Sequence, residues 1–347
     1  MKKIRVMVID DSQTICATLK AKLNTLDDIE VIATAPDPYE ARDLVVTLNP
    51  DVIILDIEMP RMDGLTFLKK IMAHFPKPVV ILSSLTTEGS ETGLQALELG
   101  AVEVMSKTDI SFSSPEFLQE LADKVRGASA SILNNVIMIE QAGQGMILAE
   151  DLDIENKLIV IGASTGGTEA LKVIFSRFPR SMPPILIVQH MPVHFTRPFA
   201  ERLNAHSKIK VKEAEDGELI RPNQAYLAPG DFHMLMKKKG RESYIVLNQG
   251  PKVNYQRPSV DILFKSAAIL FREKAIGVLL TGMGRDGAEG LLEMKKAGSV
   301  TIAQDKESSV VYGMPEAAVN MGAAAHVLPL KRIHEKIIEL IIKNNTL

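Results

Sequence analysis

Ser164 stands in Gly162-Ala163-Ser164-Thr165-Gly166, a G-x-S-x-G pattern that closes the apolar run Leu158–Ile161 and precedes a helical pattern from Glu169. Small residues on both sides of a serine let the chain turn sharply between strand and helix and leave the hydroxyl accessible. The helix that follows aims backbone N–H groups and a partial positive charge at any anion formed there. The same letters fit a plain Gly-rich loop, so a nucleophilic reading needs a base and an acid elsewhere. Of seven histidines, His190 directly follows the apolar run Ile185–Gln189, at a predicted strand end. His194, His206 and His233 fall in predicted loops or on helix faces, where solvation or capping accounts for them. Asp286, in Thr281-Gly282-Met283-Gly284-Arg285-Asp286-Gly287, lies beyond another such run, Ile276–Leu280. These three would form a hydrolytic triad: Ser164 attacks, His190 takes and returns the proton, and Asp286 fixes the imidazole tautomer. Backbone N–H groups near Thr165 and Met283 would bind the oxyanion.

A second set of reactive residues sits in the N-terminal third. Asp10-Asp11 ends one apolar run, Asp56 a second and Ser83 a third, while a fourth leads to Lys107. Three carboxylates brought together repel unless a divalent cation lies among them, and an all-oxygen set favours Mg²⁺. Asp56 could then take a phosphoryl group, with the metal and Lys107 neutralising the transferred oxygens and Ser83 hydrogen-bonding the new phosphate.

Both sets require parallel strands that end along one sheet edge. Residues 1–126 supply them as five β-α units, with runs at Ile4–Ile9, Val31–Ala33, Val52–Leu55, Val79–Leu82 and Val102–Met105. The periodicity weakens over 127–151, a predicted join whose Val136–Ile139 is apolar enough to pack on a domain. It resumes at Leu158, so 152–347 forms the second domain, with further runs at Ala225–Leu227, Val300–Ala303 and Ala325–Leu328. Two strand-like segments around Lys237-Lys238-Lys239-Gly240-Arg241 predict an inserted β-hairpin with a solvated lysine turn. The fold class is α/β, two doubly wound parallel-sheet domains.

Bulk properties exclude several functions. Among 347 residues, 46% are hydrophobic and the net charge is −3, so no basic bias points to nucleic acid. The single cysteine, Cys16, cannot form an internal disulfide. The N-terminus lacks the pattern of a signal peptide and no apolar stretch is long enough for a membrane span, which predicts a cytoplasmic protein. Gly282-x-Gly284-x-x-Gly287 with Asp305 mimics a dinucleotide fingerprint, but Asp286 would face the pyrophosphate. His190-x-x-x-His194 has zinc-ligand spacing, but Pro192 breaks the helix that spacing needs.

Residues 1–126 resemble a bacterial response-regulator receiver domain, through Val8-Ile9-Asp10-Asp11-Ser12, the segment Asp51–Pro60 and Asp63-Gly64. Thr108 departs from the proline common in that family. From about Leu152 onward the chain resembles the catalytic domain of the CheB protein-glutamate methylesterases. The matching segments are 161–167, 188–192, 280–287, Ala303-Gln304-Asp305, Tyr226–Gly230 and Tyr312–Pro315. The resemblance implies a flavodoxin-like receiver and a Rossmann-like methylesterase domain. It carries Ser164, His190 and Asp286 over as the triad and Asp56 as the site phosphorylated by a histidine kinase. Mg²⁺ would be held by Asp10, Asp11 and Asp56, with no cofactor in the catalytic domain. The implied substrate is a γ-glutamyl methyl ester on the cytoplasmic helices of chemoreceptors, with glutamine deamidation beside it, in a monomer whose receiver inhibits until phosphorylated. The alternatives are a non-catalytic response regulator acting by protein binding and a nucleotide-dependent oxidoreductase.

Overall fold

A computed structural model describes residues 3–83, 87–107, 114–131, 154 and 157–342. The chain divides into two compact units, Met1–Val136 and Ile137–Leu347. Among the described residues, no helix is long and apolar enough to cross a membrane.

The first unit alternates β1 (Ile4–Ile9), α1 (Gln13–Leu23), β2 (Ile29–Ala35), α2 (Pro38–Leu48), β3 (Val52–Asp56), α3 (Gly64–His74), β4 (Val79–Ser83), α4 (Thr87–Glu98), β5 (Glu103–Ser106) and α5 (Pro115–Ser129). Its strands form one parallel sheet in the order β2-β1-β3-β4-β5, the flavodoxin-like plan. All five residues of β3 are buried, as expected of a central parallel strand covered on both faces. The chain reverses direction across the sheet between β1 and β3, so Asp10 and Asp56 emerge side by side at the switch point. Helix α5 runs past the predicted start of the join. Gly127 and Ala128 are buried on it, small residues continuing an apolar face that the sequence pattern had ended at Arg126. Val136–Ile139 and Thr108 lie outside the described residues.

The second unit contains β6 (Leu158–Ala163), α6 (Gly167–Phe175), β7 (Ile185–Gln189), α7 (Thr196–Ala205), β8 (Lys210–Glu213), β9 (Gln224–Leu227), β10 (His233–Lys239), β11 (Glu242–Asn248), α8 (Val260–Leu270), β12 (Ala275–Leu279), α9 (Ala288–Lys296), β13 (Val300–Gln304), α10 (Met314–Asn320), β14 (His326–Leu328) and α11 (Leu330–Ile341). Its seven-stranded sheet runs β14-β13-β12-β6-β7-β9-β8 with every pair parallel. Strand β6 lies between β7 and β12, which makes its carboxyl end the switch point of this sheet. The predicted hairpin is β10–β11, antiparallel, and Met234, Met236 and Ile245 from it join the core beneath α8. Lys237–Lys239 complete β10 and pair with Tyr244, Ser243 and Glu242, so the turn is confined to Gly240-Arg241. Lys238 is not simply solvated; its Nζ donates to Leu270 O (2.6 Å) and lies 4.9 Å from the Phe271 ring centroid.

Candidate functional sites

The register of the second sheet brings the predicted triad residues to one edge. Ala163 pairs with Gln189, and Ser164 and His190 follow them directly, on strands about 4.8 Å apart. The His190 N–H donates to Ala163 O (3.1 Å), and the Ser164 N–H to Thr281 O (3.0 Å), tying the serine turn to both flanking strands. Gln189 adds a side-chain clamp, its Nε2 donating to Ser164 O (2.9 Å). Gly282 admits no side chain: a Cβ there would lie 2.7 Å from Ser164 Cβ and 2.3 Å from Met314 Sδ. That close approach carries Met283 alongside the serine. The Met283 N–H forms no hydrogen bond among the described residues, whereas Thr165 is buried and its carbonyl accepts from Thr281 Oγ1 (2.9 Å).

His190 and Asp286, ninety-six residues apart, meet at 2.8 Å through Nε2 and Oδ2. The other ring nitrogen, Nδ1, is buried without a hydrogen-bond partner. A carboxylate on Nε2 keeps the proton there and leaves Nδ1 as the basic nitrogen. The imidazole is thus used in the opposite sense from the chymotrypsin arrangement. No hydrogen bond yet joins Nδ1 to the Ser164 hydroxyl, a contact that in unliganded sites often forms only with substrate.

Asp286 is more firmly held than its neighbours in the sequence suggest. Besides His190, Val260 N–H donates to Oδ2 (2.7 Å), and Ser259 Oγ (2.8 Å), Asn254 Nδ2 (3.1 Å) and Asp261 N–H (3.2 Å) donate to Oδ1. Burial pushes its carboxyl up, but the His190 contact and the donors around it outweigh that and hold it down at about 2. Asp261, also buried, is pushed up by burial and by the Asp286 charge, opposed by the Gly290 N–H. The Asn254 amide nitrogen bridges the two acids, at 2.8 Å from Asp261 Oδ2 and 3.1 Å from Asp286 Oδ1. Asn254, Ser259 and Asp261 were not identified from the sequence; no spacing rule links a β11–α8 loop to an acid after β12.

The remaining histidines divide. His194 is exposed in a turn and His206 caps α7 with Nδ1 against Arg202 O (2.9 Å), as expected. His233 corrects the sequence reading: it is a buried residue of β10, not a loop or helix-face residue. Its Nδ1 accepts from Ser259 N–H (3.2 Å), and its Nε2 lies 2.9 Å from Pro251 O, so it steadies the loop that carries Ser259 to Asp286. Asp305 accepts from Ser308 N–H and Oγ (2.9 and 2.6 Å), which commits it to a local turn rather than to a ribose.

In the first unit, ligand oxygens of Asp10, Asp11 and Asp56 all lie within 4.8 Å of one another. Lys107 Nζ reaches Asp56 Oδ2 (2.7 Å) and Asp10 Oδ2 (3.0 Å). One ammonium against three carboxylates leaves an excess of negative charge on hard oxygen donors, a set that fits a divalent cation such as Mg²⁺. Burial lowers the Lys107 pKa, but the Asp56 and Asp10 carboxylates raise it by more, so the ammonium is fixed. The β3–α3 loop is as constrained as the serine turn: a Cβ on Gly64 would sit 2.1 Å from the Asp56 carbonyl. Ser83 is the last residue of β4, and its predicted phosphate contact falls outside the described side chains.

Burial pushes Asp56 up to about 6, against the pull of Lys107. An unfolded aspartate titrates near ~3.9. The folded state therefore binds this proton more tightly, and the associated stability is present below about pH 4 and lost as pH rises through about 6. In metal-free buffer, Asp56→Asn is expected to raise the receiver transition of the full chain by roughly 5 °C at pH 7. At pH 4.5 the difference should shrink toward zero. Calorimetry that finds the same midpoint for both proteins at pH 7 would rule out this ionisation penalty.

A receiver-type acidic centre and a serine turn with a histidine–aspartate pair define a response regulator with a hydrolase-type output domain. Residues 6–119 match the family model for the response regulator receiver domain, and residues 159–337 match that for CheB methylesterase. The chain belongs to the CheB family. It is 48% identical over 343 residues to protein-glutamate methylesterase/protein-glutamine glutaminase 2 of Syntrophus aciditrophicus, covering 98% of this chain and 100% of that relative. A Thiobacillus denitrificans protein-glutamate methylesterase/protein-glutamine glutaminase is 49% identical, with 97% and 96% covered. The crystal structure of the Thermotoga maritima CheB methylesterase catalytic domain is 45% identical, with a TM-score of 0.53, and covers 54% of this chain and 99% of that one.

Proposed function

We propose that this chain is a phosphorylation-activated protein-glutamate methylesterase and protein-glutamine glutaminase that works by a Ser164-His190-Asp286 mechanism. The observation that carries the mechanism is the His190–Asp286 bond, which leaves Nδ1 unpartnered beside the Ser164 turn. Ser164 Oγ attacks the γ-carbonyl of a methylated glutamate while its proton passes to His190 Nδ1. The oxyanion is met by N–H groups near Thr165 and Met283. Collapse breaks the C–O bond, and methanol leaves with the proton from Nδ1. Water then attacks the acyl-serine by the same route and releases the free glutamate. A glutamine amide follows the same sequence with ammonia as the leaving group.

The substrates are cytoplasmic helices of chemoreceptors, and the phosphodonor is a histidine kinase. Asp10, Asp11 and Asp56 would hold Mg²⁺, which supplies charge neutralisation for phosphoryl transfer to Asp56. Ser83 and Lys107 would contact the phosphate. The unphosphorylated receiver (1–126) inhibits the catalytic domain (152–347), and the monomer works in the cytoplasm. Phosphorylation shifts the balance toward the active form.

The test is methanol release from methylated receptor membranes with Mg²⁺, with and without a small phosphodonor. Wild type should be stimulated, and Asp56→Asn should retain the unstimulated rate but lose the response. Equal stimulation of both proteins would remove Asp56 from the scheme.

A further inference from the structure

The loop between β11 and α8 is fixed from several sides. Arg257 Nη1 donates to Gly250 O (2.9 Å) and its Nε to Asp231 Oδ1 (2.9 Å). His233 holds Pro251 O, while Asn254 and Ser259 are bonded to Asp286. At the tip, Val253 N–H donates to Gln256 O (3.1 Å) and Gln256 N–H to Val253 O (2.9 Å), closing a two-residue turn. Both turn residues are left-handed, Asn254 at φ 51° and Tyr255 at φ 64°. This is the type I′ geometry, whose favoured pair is Asn-Gly. Asn254 suits the first position. Tyr255 occupies the glycine position, where a bulky side chain is strained.

Those bonds hold the turn, but the ring itself adds little to it: Tyr255 is 79% exposed, more than any other large apolar or aromatic side chain among the described residues. A rigid turn presenting an aromatic ring to solvent, one residue from a group bonded to the triad acid, has the features of a binding contact. Tyrosine brings apolar area and a polar tip, and a preformed turn loses little freedom on docking. A substrate helix about 10–12 Å across is also wider than the serine turn, so it must rest on the loops around it.

We infer that Tyr255 is a substrate-binding residue on which the protein helix bearing the methyl ester docks at the rim of the Ser164 site. The inference rests on the methylesterase reading above and names where that substrate is gripped.

The experiment uses the full chain activated by a phosphodonor, with Tyr255→Gly and Tyr255→Phe. Methanol release is measured against receptor membranes and against a small glutamate γ-methyl ester. Tyr255→Gly should raise KM for receptor roughly tenfold with kcat changed less than about twofold, and so lower the receptor-to-small-ester ratio of kcat/KM about tenfold. Because glycine relieves the left-handed strain, the melting temperature should hold or rise by up to about 2 °C. Tyr255→Phe should recover most of the KM. Unmoved receptor KM, or parallel loss on both substrates, would overturn the inference. So would a raised unstimulated rate with normal KM, which would assign the ring to the receiver. Absence of release by wild type on receptor would reject the methylesterase reading itself, whereas release with an unmoved KM rejects only the role of Tyr255.

Discussion

Ser164→Ala is expected to slow methanol release from methylated receptors by about 10⁴-fold or more while leaving phosphorylation of Asp56 intact. The alanine methyl fits the same turn, since the backbone bonds from Ser164 N–H to Thr281 O and from Gln189 Nε2 to Ser164 O do not involve the hydroxyl. The Met283 amide also stays in place. What is lost is the hydroxyl proposed to form the acyl intermediate, and the proposed oxyanion donors are left to act on a water attack that nothing orients. His190→Gln should cost about as much, and the double variant little more, because the two side chains act in one step and cannot be lost twice. Cys16 offers no substitute nucleophile. It is buried in the other unit with its thiol pushed up to about 11 by burial and the Asp10 charge, so almost no thiolate forms at neutral pH. Single-turnover assays on the three variants would decide the matter. Release by Ser164→Ala within tenfold of wild type would place the nucleophile elsewhere, and additive losses would separate the histidine from the serine.

The parts of this site that the sequence made legible are those fixed by parallel-sheet geometry. Ile185–Gln189 and Leu158–Ile161 read as buried strands because both faces are covered, and the residues just beyond such a strand must lie at the functional edge. Asp10 and Asp56 were legible for the same reason. Strand β8 was not, since Lys210-Val211-Lys212-Glu213 is short, charged and at the sheet edge, where one buried valine is its whole apolar signal. His233 was misplaced because a polar residue beginning a hairpin strand carries no mark of burial; its partners, Pro251 O and Ser259 N–H, come from eighteen and twenty-six residues away. The sense in which His190 is used was illegible altogether. It depends on which ring nitrogen the chain from β12 reaches, and a sequence contains no ring orientation.

That orientation makes Asp286→Asn the next most damaging change, with kcat expected to fall about 10³–10⁴-fold and KM to change little. The carboxylate satisfies donors on both oxygens, His190 Nε2 and Val260 N–H on one, Ser259, Asn254 and Asp261 N–H on the other. An amide has one oxygen. If its NH₂ faces His190, the imidazole must accept at Nε2 and carry its proton on Nδ1, the nitrogen required to take the serine proton. If the amide is turned over, the Asp261 N–H and the Asn254 amide face another donor inside a buried site, which destabilises the β11–α8 loop. The two outcomes are separable. Nitrogen chemical shifts of His190 should show Nδ1 protonated in the first case, with a smaller fall in melting temperature because only the Val260 N–H then faces another donor. The second should retain the wild-type tautomer but unfold at lower temperature. A variant that keeps the wild-type tautomer, melting temperature and kcat would mean that Asp286 does not orient the base. In the wild type the carboxyl, held at about 2, stays ionised through the working range, and the stability it confers is lost only as pH falls below about 4 toward 2. Any decline of kcat between pH 5 and 7 must therefore arise from another group than this acid.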